Sequence, residues 1–187
     1  LAMELKFEYK RRWRILFAAL FVIGLAGIVF GMVNQPGRTW ANILLNNYLF
    51  IMLSIGALFF YAVQYITNSG WSALFKRVPM AAGIWLPVGL MLMLVFNFGM
   101  NHIYEWTDPK AVAYDKLLQH KAPYLNIPFF YARVVVYFVL WLGLAWWMRK
   151  LSLKEDAGGT INVNKHIKAS GAFVFAIVFT FTMASVD

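Results

Sequence analysis

Three groups of side chains in this 187-residue chain have the types and spacing to move protons or hold a polar ligand. The first lies in Asn97-Phe98-Gly99-Met100-Asn101-His102-Ile103-Tyr104-Glu105-Trp106. Read as a helix, it puts Asn97, Asn101 and Glu105 on one face at i, i+4 and i+8, with His102 and Glu105 as i, i+3 neighbours. An imidazole and a carboxylate so placed at a membrane surface can accept or deliver protons, as quinol chemistry requires. The second is Arg133, which follows Pro128-Phe129-Phe130-Tyr131-Ala132 and lies about 7–8 Å into an apolar run at helical rise. A charge at that depth pairs with a partner or contacts a bound head group, here a quinone. Glu105, Asp108 and Asp115 are the carboxylates on its side of the chain. The third is Tyr61 with Tyr65, i and i+4 on one helical face beside Gln64, which could line a quinone pocket or a proton path.

Each group also has a plainer reading. Polar residues and tyrosines collect where a membrane meets water, so His102, Glu105, Tyr61 and Tyr65 fit interfacial anchoring, as do Trp141, Trp146 and Trp147. Arg133 can snorkel to the interface. Lys165, His166 and Lys168 read as a solvated basic flank. As a metal site, His102 with Glu105 supplies two ligands where a closed coordination sphere needs about four. Gly158-Gly159-Thr160 lacks the lysine and the strand of a phosphate-binding loop, and no Ser/His/Asp or Cys/His nucleophile set stands out.

The elements that must position these groups follow from composition. Hydrophobic residues make up 61% and charged residues 13%, whereas soluble domains average about 45–50% and about 25%. Disorder and an ordinary soluble globule are both excluded, which leaves an all-α, polytopic membrane bundle. Uncharged or nearly uncharged runs cover residues 15–33, 42–66, 79–99 and 128–148, each near the roughly 20 residues of one crossing. A fifth begins at Ala172 and reaches Asp187, about 24 Å of helix against a hydrocarbon core of about 30 Å. We therefore expect four full spans and part of a fifth in a single domain. The basic segment before residues 15–33 also suits a signal peptide, but the run exceeds the usual 7–15-residue apolar core. Transmembrane β-strands are excluded, because they need only about 10 residues, in alternation.

Between the spans, Gln35-Pro36-Gly37-Arg38 reads as a turn and residues 71–78 as an interfacial connection carrying Lys76 and Arg77. Pro87 should kink the third span. Asp108 should cap a short surface helix over residues 110–120. Residues 149–171 should be a polar connection with a flexible turn at 156–160.

Lys and Arg place the ends. Twelve fall on the side of the N-terminus and four on the other, which predicts a cytoplasmic N-terminus. The net charge of +9 thus describes topology rather than nucleic-acid binding. With no cysteine and no histidine in the middle of a span, this chain is not expected to carry an iron–sulfur cluster, a c-type haem or a bis-histidine haem. Leu1 in place of an initiating Met, and an apolar run reaching Asp187, lead us to expect a piece of a longer polypeptide.

Several ordered segments carry a likeness. Phe59-Phe60-Tyr61-Ala62-Val63-Gln64-Tyr65 leads to Gly70-Trp71-Ser72, and Arg77-Val78-Pro79-Met80 runs into Leu86-Pro87-Val88-Gly89. Asn101-His102-Ile103-Tyr104-Glu105-Trp106 and Tyr124-Leu125-Asn126-Ile127-Pro128-Phe129-Phe130 continue it. Together they resemble the N-terminal half of the NrfD-like membrane subunits of alternative complex III, over roughly residues 40–187. The resemblance implies a bacterial inner-membrane respiratory complex that oxidises menaquinol or another quinol and reduces cytochrome c or a coupled oxidase. It implies haem and iron–sulfur groups on partner subunits and no cofactor bound by this chain, with quinone or lipid as candidate ligands. It transfers no catalytic residue. A secondary transporter or ion channel is the alternative, disfavoured by the lack of a repeat and of midplane charge; a pure assembly subunit is a third.

Overall fold

The computed structural model describes residues 10–158 and 162–185. Lys6 of the basic flank, part of the turn at 156–160, and the last two residues of the fifth apolar run lie outside them. The described residues are helical without a strand, and five helices are long and apolar enough to cross a membrane. Helix α1 is Arg11–Asn34 and α2 is Pro36–Ile66. Only Gln35 separates them: Pro36 takes the first position of α2, where its missing N–H costs nothing. The expected four-residue turn is therefore one residue, and α2 extends about 46 Å.

The third crossing, Arg77–Phe98, is interrupted. It consists of α3, Arg77–Ala82, and α4, Trp85–Val95. Pro87 causes the break one turn upstream. It has no N–H for the Gly83 carbonyl, which accepts instead from Leu86 N at 3.2 Å. Asp108 caps α5, Pro109–Tyr114, as expected, by accepting from Lys110 N at 2.9 Å. The expected single surface helix is then divided, because Asp115 accepts from Leu117 N at 2.8 Å and starts α6, Lys116–Lys121.

Helix α7 is Ile127–Asp156 and α8 is Val163–Ala184. Both revise the expected limits. Residues 149–156 continue α7, and α8 starts nine residues before Ala172 and spans about 33 Å. The fifth element is long and apolar enough for a full crossing, and six residues separate α7 from α8.

The bundle is apolar outside and mixed inside. Phe21, Leu53, Phe175 and Phe179 point outward, as they do where the surroundings are lipid. Helix α8 packs on α2 and α7, and α4 on the same two helices. The buried faces repeat at four and three residues: Asn47, Ile51, Ser54, Leu58 and Tyr61 in α2, and His166, Ser170, Phe173, Ile177 and Thr180 in α8. Some small polar groups between these helices bond internally. Trp141 Nε1 donates to Thr180 Oγ1 at 2.8 Å, and Thr180 donates to the Ala176 carbonyl. Such bonds hold helices together where apolar burial gains little over lipid.

Candidate functional site

At one end of the bundle, the ends of α2 and α7 meet the starts of α3 and α8. Here the sequence puts charged groups on inward faces, and the helices converge on Glu155. Its Oε2 accepts from Tyr65 Oη and from Lys76 Nζ, each at 3.2 Å. Its Oε1 lies 2.8 Å from His166 Nε2. The Tyr65 and His166 rings stack at 4.4 Å, 12° from parallel. Lys76 also reaches Asp156 at 3.2 Å, and Arg77 pairs with Asp156 on the outer side. Glu155 is thus a nearly buried carboxylate with two donors on Oε2 and the His166 imidazole close to Oε1, which has no hydrogen-bond partner among the described residues.

A second polar layer lies one helical turn deeper. Tyr61 precedes Tyr65 by four residues, Ser152 precedes Glu155 by three, and Ser170 follows His166 by four, which sets the three about 4.5–6 Å further in. The Tyr61 and Tyr65 rings are 4.9 Å apart. The Tyr61 and Ser152 hydroxyls are buried and without hydrogen-bond partners among the described residues, and Ser170 Oγ approaches Met148 Sδ at 3.9 Å. Outside the first layer is a cavity of about 240 Å³ bordered by Gln64, Tyr65, Asn68, Ser69, Lys76 and Glu155. Polar groups therefore run in sequence from an open cavity to the bundle interior.

Of the residues singled out by sequence, this site takes Tyr61 and Tyr65, both turned inward rather than outward into a belt. It also takes residues that sequence reasoning placed elsewhere. His166 is 2% exposed, not part of a solvated flank; it belongs to the buried stripe of α8. Lys76 is a partner of Glu155 rather than a plain interfacial lysine. Glu155 was hidden by the expectation of a loop from residue 149. The available signal was the 4-3-4-3 spacing from His166 to Thr180, which puts His166 in register with the apolar positions behind it.

Arg133 lies at the opposite end and is buried rather than snorkelling. Its guanidinium donates to the Tyr124 carbonyl at 3.1 Å and sits 4.0 Å from the Tyr124 ring centroid and 4.5 Å from that of Phe129. It holds the connection from α6 onto the first turn of α7. Tyr104, Trp106 and Phe130 cluster nearby with centroids 5.3–6.1 Å apart. An apolar cavity of about 370 Å³ runs past Tyr104, Phe130, Tyr137 and Trp141, within the size range of small-molecule sites.

His102 and Glu105 do not form the expected helical pair. After Val95 the chain makes three short 3-10 turns, at Phe96–Phe98, Met100–His102 and Glu105–Thr107. The i, i+4, i+8 face of Asn97, Asn101 and Glu105 is therefore absent. Gly99 admits the Trp40 indole against its backbone, and Trp40 meets Phe96 edge-on at 6.1 Å. His102 backs onto Gly37 at the start of α2, and both His102 and Glu105 are exposed. Among the described residues no three His, Asp or Glu side chains converge as metal ligands would.

No protein-family model and no curated protein matches this chain.

Proposed function

We propose that this chain is an integral membrane subunit of a bacterial respiratory quinol:cytochrome c, or quinol:coupled-oxidase, oxidoreductase, and that it contributes scaffold and a proton-conducting path. The reading joins the resemblance to NrfD-like subunits with one observation: the two-layer polar column of Lys76, Glu155, His166 and Tyr65, then Tyr61 and Ser152. A carboxylate, an imidazole, phenols and hydroxyls in succession are groups that exchange protons, and polar groups inside a membrane commonly mark such routes. On this reading the membrane is a bacterial inner membrane, and the excess of Lys and Arg supports a cytoplasmic side for this end and for the N-terminus. The aromatic cavity beside Arg133 at the other end is then a quinone-adjacent surface, with His102 and Glu105 on the outward rim. Haem and iron–sulfur groups belong to partner subunits on this reading, and menaquinol or another quinol is the electron donor.

The test is Glu155→Gln and Tyr65→Phe in the assembled complex. Quinol oxidation should persist while proton translocation falls about tenfold or more. Unchanged translocation in both variants rules out the path. Co-purification of haem and iron–sulfur absorbance supports the respiratory setting. The interrupted third crossing is the feature that favours a secondary transporter or channel; substrate-dependent uptake by this chain alone in liposomes would select that reading.

A further inference from the structure

Helix α1 meets α2 closely only near their junction, where Gly31 lies against Thr39. From that apex the two helices diverge, leaving a cleft of about 910 Å³ with α4 as its third wall. Gly24 and Gly27 face open space, with nothing within 4 Å of where a Cβ would stand. The α2 wall is graded. Arg38, Asn42, Asn46 and Phe50 all border the cleft and repeat at four residues, so each is about 6 Å deeper than the last. A cation at the junction end is followed, further along α2, by two amides and then by apolar and aromatic surface. Arg38 is exposed and makes no ion pair among the described residues. Asn46 Nδ2 donates to the Asn42 carbonyl at 2.8 Å, which leaves its second N–H and the Asn42 amide for another acceptor.

We propose that this cleft binds one anionic phospholipid, with the phosphate at Arg38, the ester carbonyls at the Asn42 and Asn46 amides, and the acyl chains between α1 and α4. The order of charge, amide and apolar wall matches the order of phosphate, glycerol ester and hydrocarbon in such a lipid. A transmembrane helix from a partner would need apolar contact along its whole length and would leave Arg38 unmatched. The lipid also supplies the contacts that α1 lacks.

Native mass spectrometry of the purified full-length protein, loaded with equal amounts of phosphatidylglycerol and phosphatidylcholine, tests this. The wild type should retain one phosphatidylglycerol in preference to phosphatidylcholine. Arg38→Gln, an exposed change compatible with folding, should reduce that preference about fivefold. Gly27→Phe, which fills the trough, should lose both lipids; equal helical circular dichroism verifies that each variant is folded. Equal retention of the two lipids by the wild type overturns the proposal, as does undiminished phosphatidylglycerol binding by Arg38→Gln. Disulfide cross-linking of Gly27→Cys between chains in the bilayer, with lipid excluded, would assign the cleft to a second copy instead and overturn it too.

Discussion

The Tyr65 ring lies flat on the His166 imidazole, 4.4 Å away and 12° from parallel, and both side chains reach the same carboxylate, Glu155. The stack ties the end of α2 to the start of α8, and Glu155 ties both to the end of α7. Lys76 brings in α3. One carboxylate therefore anchors four helix ends.

Removing that carboxylate leaves Tyr65 and Lys76 without their shared acceptor and His166 without its charged neighbour. Glu155→Leu should destabilise the bundle by about 1–3 kcal/mol. Lys76→Met should cost less, since Lys76 is partly open to water and Glu155 keeps Tyr65 and His166. Unfolding of both variants in mixed detergent, followed by circular dichroism, gives the order. A larger loss for Lys76→Met would contradict the central role of Glu155.

Gly99 is required for space rather than for backbone conformation. A Cβ there would overlap the Trp40 indole, whereas its φ of −109° suits any residue. Gly99→Val should push Trp40 off Phe96 and cost about 1–3 kcal/mol. The near-ultraviolet circular dichroism of the tryptophans should change with it. An unchanged spectrum at unchanged stability would show that this contact contributes little.

Arg133 should act on the neighbouring connection before it acts on the bundle. Arg133→Met removes the donor to the Tyr124 carbonyl and the cation between two rings, together about 2 kcal/mol. Hydrogen exchange at residues 122–126 should accelerate. Arg133→Lys should recover only part of the effect, because an ammonium lacks the planar face. Exchange rates in Arg133→Met equal to the wild type would sink the clamp assignment.

Pro87→Ala should repair the third crossing. The new N–H can reach the Gly83 carbonyl, so amide exchange across residues 84–88 should slow, by about tenfold for a bond worth about 1.4 kcal/mol. No slowing would place the cause of the break outside Pro87.

The apolar runs, the Asp108 cap and a disturbed third crossing were legible in the sequence, because each rests on local chemistry. The limits of α7 and α8 were not. Lys150, Lys154, Glu155, Lys165 and Lys168 lower the average hydropathy until the helix ends resemble a loop, although charged residues are sound helix formers. Separating the inward Glu155 and His166 from their outward neighbours needed the four-and-three spacing rather than the average. That spacing still would not have supplied Lys76, which meets Glu155 79 positions away in the chain. The helical reading of residues 97–105 failed for a different reason: the chain there makes tight turns and packs Gly99 on Trp40, a contact from another helix that local spacing does not reveal.

The first helix has no buried residue. Its middle is thus constrained by its solvent and not by a jigsaw of neighbours. Random replacement at residues 15–23 should accept nearly any apolar side chain, while Gly31, pressed on Thr39, should accept almost none. Sequence drift over residues 15–23 would then be fast and directionless, and constraint on α1 would collect at its joint and at the cleft-facing Gly24 and Gly27.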